Sequence, residues 1–253
     1  MPSSLNLIWH LYWHNFVPKD KEDRLKLVWI FAEPIGQMAV LLLVFSMISR
    51  SPAYGRSFAL FFLTGIGMLT LFKGSSQLVM GAIKQLNNAG RLPAVGMFHE
   101  AIARILFMLT VAVIYVSALL WGVHVFQGVR TLPHHWPEVV TAFALCALLA
   151  FGVGLLRGYC ALFIPFIERI YVILARALLF VSGVFYVTSF MPPQLRDILR
   201  WNPVLQVVEL LRSGVYREYP TIVLDVGYLF GVSLGAVALG AALLWARRSE
   251  VLG

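Results

Sequence analysis

Long apolar runs separated by short polar breaks dominate the chain. Residues 5–17, LNLIWHLYWHNFV, set Leu5, Ile8, Trp9, Tyr12, Trp13 and Phe16 at steps of three and four. That spacing predicts an amphipathic helix, too short to cross a bilayer. Its Trp and Tyr favour the headgroup level, so it is expected to lie in the membrane interface. A charged run at 19–26 follows. Six apolar runs then predict six spans, at about 25–49, 58–79, 101–123, 139–156, 166–188 and 221–245. Each is near the roughly 20 residues a helical crossing needs. Glu33 and Pro34 interrupt the first run near its inner end. A polar stretch at 80–100 separates the second run from the third, and the chain is expected to turn tightly around Arg157.

The segment 189–220 breaks this pattern. Within it, WNPVLQVVELLRSGVY (residues 201–216) reads as a short amphipathic helix with Glu209 and Arg212 one turn apart. Spans on both sides leave it no room to be a soluble domain.

Composition agrees with a membrane protein. The 253 residues are 60% hydrophobic and 13% charged, with mean hydropathy +0.81. Soluble domains carry about 25% charged residues. The fold class expected is therefore all-α integral membrane, as a single transmembrane domain over residues 1–253. The net charge of +8 suits either anchoring beside anionic lipid or an anionic cargo, and charge alone does not separate them. With the N-terminus inside, eleven Lys and Arg face the cytoplasm and seven face out. That satisfies the positive-inside rule moderately, with Arg50 and Arg56 dissenting. The N-terminus does not read as a cleavable signal peptide. Cys146 and Cys160 read as apolar core thiols.

Few residues suggest chemistry. No lysine sits in a GxxxxGK[ST] phosphate loop, so ATP-driven work would need another chain. No nucleophile–base pairing is visible. His134 and His135 are adjacent, but further metal ligands are not apparent. Gly227, Gly231 and Gly235 step by four, which suits close helix packing within or between subunits. Charges inside spans are costly. Lys73 reads as snorkelling to the inner surface. Arg176 and Glu33 are either structural or lumen-facing. Residues 84–91 are either a solvated loop or a docking helix.

Four stretches together resemble a known family. They are LVWIFAEP at 27–34, MGAIKQLNNAGRLPAVGMFHEAIAR at 80–104, LLFVSGVFY at 178–186 and RWNPVLQVVELLRSGVY at 200–216. In this order, with the RRSE tail, the chain resembles the membrane permease of ABC transporters of the second exporter type. More narrowly, it is similar to the capsular polysaccharide export permease of Gram-negative bacteria. Ala94, Val95 and Gly96 depart from the polar, Pro-flanked docking turn expected there.

The resemblance implies a homodimer in the inner membrane with both termini cytoplasmic. It makes 189–220 periplasmic, with short re-entrant helices before the last span. It implies two partner subunits that bind ATP and Mg, while this chain binds no cofactor and no metal. It implies a lipid-linked polysaccharide cargo, a periplasmic co-polymerase and an outer-membrane exporter, with no nucleic acid. Lys84, Gln85, Leu86, Asn87, Asn88 and Arg91 would couple to the ATPase. Trp29, Glu33 and Pro34 would form a first-span motif. Candidates to line the channel or its gate are Arg176, Phe185, Tyr186, Phe190, Arg196, Arg200, Trp201, Asn202, Glu209, Arg212 and Tyr216. Rings suit sugar faces and Arg forks suit carboxylate or phosphate. An interface belt of rings and arginines would account for many of the same residues. The rival cargo within this class is an O-antigen or teichoic-acid precursor. A polytopic membrane transferase is the rival of another class, and it would need a catalytic cluster that the sequence lacks.

Overall fold

The computed structural model describes residues 4–15, 21–48, 51–89, 94–128 and 131–247, and the structural statements below concern these. They form nine α-helices, with no strand among the described residues. In chain order these are α1 (Ser4–His14), α2 (Lys21–Ile48), α3 (Phe58–Ala89), α4 (Ala94–Gln127), α5 (Trp136–Phe163), α6 (Pro165–Val181), α7 (Pro193–Leu199), α8 (Pro203–Val215) and α9 (Val226–Ala246). Proline stands in the first two positions of α5, α6, α7 and α8. Its fixed φ and missing N–H suit that position.

α3 is the central post. Phe61, Phe62, Ile66, Met68 and Leu71 are buried along it, and α2, α4, α5 and α8 pack around it. α1 lies on α4, where the Tyr12 hydroxyl meets Thr110 Oγ1 at 3.0 Å. Trp9 and Trp13 beside it stay exposed. Both cysteines are free thiols, with Cys146 buried in the core.

Four described helical segments are long and apolar enough to cross a membrane: Phe58–Gln85, Phe98–Gln127, Trp136–Phe163 and Val226–Ala246. Six were expected. α6 has 17 residues, which is about 26 Å of helix, and it carries Glu168, Arg169 and Arg176. α2 has 28 residues, and its described side chains include a shorter apolar stretch at Ile35–Phe45.

Three boundaries differ from those the pattern predicts. Residues 80–100 are mostly helix, because α3 runs on to Ala89 and α4 begins at Ala94. One face of this extension is buried, where Ile83 joins Val79, Ala101, Ile105, Leu155 and Leu244, while Lys84 and Gln85 are exposed. Arg157 does not mark a turn. α5 continues to Phe163, and the chain breaks at Ile164, whose φ of −140° and ψ of 64° are non-helical before Pro165. The fifth apolar run stops being helical at Val181, where Ser182 and Gly183 (φ +72°) leave the helix.

Within one chain, the close helix approach does not run through Gly231 and Gly235. Nothing lies within 4 Å of where a Cβ on Gly231 or Gly235 would stand. The close approach of α5 and α9 runs through Gly152 and Gly240 instead. A Cβ on Gly152 would stand 2.6 Å from the Val237 backbone nitrogen, and one on Gly240 would stand 2.7 Å from Leu155 Cβ. Gly152→Val should therefore force the two helices apart and cost about 1–3 kcal/mol. Thermal unfolding of the detergent-solubilised protein should show a lower midpoint, and Gly231→Val should leave it unchanged.

Candidate functional site

α8 organises the region between α6 and α9. At 13 residues it is about 20 Å long, short of the ~30 Å hydrocarbon core. Yet every residue from Val204 to Val215 is buried. Asn202 starts it. Its Oδ1 accepts from the Val204 amide at 3.0 Å, an ordinary N-cap. Its Nδ2 donates to Val181 O at 3.0 Å and to Ser182 Oγ at 3.2 Å. One side chain thus joins the end of α6 to the start of α8.

Arg212 is fully buried. Nη1 donates to Gly183 O at 2.7 Å and to Tyr186 O at 3.2 Å. Nη2 donates to Phe61 O at 3.3 Å and to Val184 O at 3.4 Å. Nε donates to Thr64 Oγ1 at 3.2 Å. The guanidinium carbon sits 3.8 Å from the Phe61 ring centre. The break after α6 leaves carbonyls without helical partners, and the Arg212 fork takes up three of them. An arginine offers five donors in one plane.

Glu209 is buried one turn earlier. Its Oε1 accepts from Thr188 Oγ1 at 2.9 Å and from the Tyr219 hydroxyl at 3.1 Å. Its Oε2 has no hydrogen-bond partner. Glu209 and Arg212 therefore spend their hydrogen bonds on segment 183–188 and its surroundings rather than on each other. Gln206 completes the same helical face. Nε2 donates to Arg200 O at 2.7 Å and to Val223 O at 2.9 Å, and Oε1 accepts from the Asp225 amide at 2.8 Å. Residues 206, 209 and 212 recur every three positions, so one buried face of α8 pins the chain before it and after it.

Tyr216 closes this region. It packs edge-on against Tyr54 at 5.2 Å and stacks with Tyr219 at 6.1 Å. The Tyr54 hydroxyl donates to the Glu218 carbonyl. Burial, and then the Glu218 carboxylate, raise the Tyr54 phenol above its ordinary range.

Of the other candidate lining residues, Tyr186 meets Arg212 only through its backbone carbonyl, and the rest do not converge with it. Phe185 stacks on Phe45 at 5.7 Å and Tyr186 is half-buried. Phe190 is exposed on the single 3-10 turn at Thr188–Phe190. Arg176 is exposed on α6, and Trp29 is exposed on α2. Arg196, Arg200 and Trp201 do come together, beside a cleft of about 650 Å³ between α7 and the turn leading into α9. Lys84 and Gln85 are exposed near the end of α3. Arg91 and the side chains of Glu33, Pro34, Leu86, Asn87 and Asn88 lie outside the described residues.

The sequence profile of ABC-2 type transporters matches residues 6–216. The chain belongs to that family. The matched region of this ABC-2 chain ends at Tyr216, so it takes in α8 with Gln206, Glu209 and Arg212. Similar curated proteins include the polysialic acid transport protein KpsM of Escherichia coli, 27% identical over 90% of this chain and 88% of KpsM. The capsule polysaccharide export inner-membrane protein BexB of Haemophilus influenzae is 24% identical over 85% of this chain and 81% of BexB. The corresponding CtrC of Neisseria meningitidis serogroup B is 25% identical over 75% of this chain and 71% of CtrC.

Two further polar clusters of this ABC-2 subunit went unread in the sequence. Arg157 Nη1 donates to Ser76 Oγ at 2.9 Å and Nη2 to Gln77 Oε1 at 2.5 Å. Its Nη2 also pairs with Glu168 Oε1 at 2.6 Å, and Tyr171 lies 4.0 Å beneath the guanidinium. That ties α3, α5 and α6 together. Arg104 pairs with Glu100 at 2.8 Å, donates to Leu78 O at 3.2 Å and bonds Gln85. It clamps the end of α3 to the start of α4, on both sides of residues 90–93. A polar residue inside an apolar run was the only available signal for either cluster. It does not name partners that lie elsewhere in the chain.

Proposed function

We propose that this chain is the transmembrane permease subunit of an ATP-driven exporter that moves lipid-linked capsular polysaccharide across the inner membrane. One observation carries this reading: an ABC-2 chain is similar, over most of its length, to proteins of capsule and polysialic acid export. Four membrane-capable helices agree with it. In this reading α2, α3, α4, α5, α6 and α9 make six passes, with both termini cytoplasmic. α1 lies in the inner interface. α7 and α8 form a periplasmic segment that dips into the membrane and returns, which suits the length and burial of α8. Arg212, Glu209 and Gln206 hold that segment in shape, while Arg196, Arg200 and Trp201 present themselves to the cargo.

The working unit would be a homodimer on two ATP-binding subunits that hold ATP and Mg. A periplasmic co-polymerase and an outer-membrane exporter would carry the polymer onward. The α3–α4 corner would meet the ATPase, with the Arg104 clamp transmitting its movement. Replacing Lys84 and Arg91 together by Ala should cut stimulation of the partner ATPase about fivefold or more without lowering the melting temperature. Full stimulation by that variant would refute the docking assignment. The reading itself is tested by deleting the chain in its host. Surface polysaccharide should disappear while polymer accumulates at the inner membrane, and undiminished surface polymer would overturn it.

A further inference from the structure

We propose that the cleft between α7 and the turn at 222–228 is a binding subsite for an acidic sugar residue. The proposal rests on the permease reading and adds a place and a ligand chemistry to it. Arg196, in the last turn of α7, and Arg200, its C-cap, stand four residues apart and both line one opening. The described ion pairs are Arg104–Glu100 and Arg157–Glu168. Among the described residues neither Arg196 nor Arg200 has a carboxylate at pairing distance. The Trp201 ring, 61% exposed, forms the neighbouring wall. It is held edge-on to Tyr228 at 5.4 Å, and the Tyr228 hydroxyl donates to Trp201 O at 2.7 Å. The Arg200 guanidinium lies 5.3 Å from that ring centre.

The walls are fixed before any ligand arrives. Gln206, 1% exposed, bonds the Arg200 carbonyl on one wall and Val223 O and the Asp225 amide on the other. A buried amide with three such bonds sets the width of the opening. Two carboxylates also border the cleft. Asp225 is committed to the start of α9, where Oδ1 accepts from the Tyr228 amide at 2.8 Å, and the helix N-terminus offsets its charge. Asp197 is exposed to solvent, where its field is screened. Arg200 is exposed as well, so the two arginines act on a ligand through direct hydrogen bonds rather than through long-range charge. A guanidinium fork matches a carboxylate with two parallel hydrogen bonds. The apolar face of a pyranose ring fits flat on an exposed indole. A sugar acid offers both in one residue. A phosphate headgroup offers only the first.

The test uses the full-length chain with its ATPase in nanodiscs of zwitterionic lipid, titrated calorimetrically. The probes are a β-1,4-linked glucuronate tetramer and cellotetraose, which differ in their C6 carboxylates. The glucuronate tetramer should bind at least about tenfold more tightly than cellotetraose. R196Q/R200Q should erase that difference. Trp201→Ala should weaken both sugars, and glycerol phosphate should not compete. Equal binding of the two tetramers would overturn the proposal. So would unchanged binding in R196Q/R200Q, or displacement by glycerol phosphate at equal concentration. ATPase stimulation by the same nanodiscs is read in parallel. If it is normal while the cleft fails, the subsite is wrong and the permease reading stands. If stimulation is absent in the wild type, the permease reading is the one that fails.

Discussion

Arg212→Ala should lose the fold of the segment between α6 and α9 before it loses any contact with cargo. The side chain is fully buried and donates to four carbonyls and one hydroxyl. Removing it strands the Gly183, Val184 and Tyr186 carbonyls in a dry interior, at about 1–3 kcal/mol for each one left unpaired, while Phe61 O keeps its bond from Thr64 Oγ1. Water entering the cavity would satisfy some of them, so a net loss of about 3–5 kcal/mol is expected. That is a large part of the stability of an ordinary domain. The variant should show a sharply lower unfolding midpoint and poor recovery from membranes. Arg212→Lys keeps the charge but not the planar fork, and should fall between the two. Thr64→Val removes one acceptor and should cost about 1 kcal/mol. A rim residue that only touched the polymer would behave differently: Arg212→Ala would melt normally and lose export alone.

Arg157→Leu should have the second largest effect. The guanidinium neutralises Glu168, satisfies Ser76 and Gln77, and lies over Tyr171. The pair is largely buried, with side-chain exposures of 6% and 17%. Removing the cation alone leaves a carboxylate facing apolar surroundings, at a cost of about 3 kcal/mol. Replacing both partners by Leu should recover much of that loss, because an apolar pair of similar volume is often as stable as a buried ion pair. Unfolding midpoints of Arg157→Leu, Glu168→Leu and the double variant form a cycle that reads the coupling directly. Additive losses would mean that the pair does not hold α5 to α6.

Much of this architecture was legible in the chain. The apolar runs matched the long helices α3, α4, α5 and α9. The polar helix at 203–215 was legible as an exception. Its meaning was not. Glu209 and Arg212 invite pairing because they are neighbours on one helix, but their partners Thr188, Gly183 and Phe61 lie 21 to 151 residues away. Such partners are set by the fold and leave no local spacing to read. Residues 80–89 looked like loop because Lys84, Asn87 and Asn88 are polar, yet the opposite face buries Val79 and Ile83 on α4 and α5. Glycine spacing pointed to 227, 231 and 235, whereas close approach depends on which face of α9 meets α5. Of the channel candidates, Arg196, Arg200 and Trp201 gather at one cleft, and Gln206 beneath them drew no reading from the sequence.

The central claim is that this subunit conducts polysaccharide when its partner hydrolyses ATP. The direct measurement reconstitutes the chain with that ATPase in sealed vesicles carrying labelled lipid-linked polymer on the ATPase face. Polymer should become protected from an added glycosidase only with ATP, with the chain present and with a hydrolysis-competent partner. Protection that is equal without ATP, or equal in vesicles lacking this chain, would contradict the account.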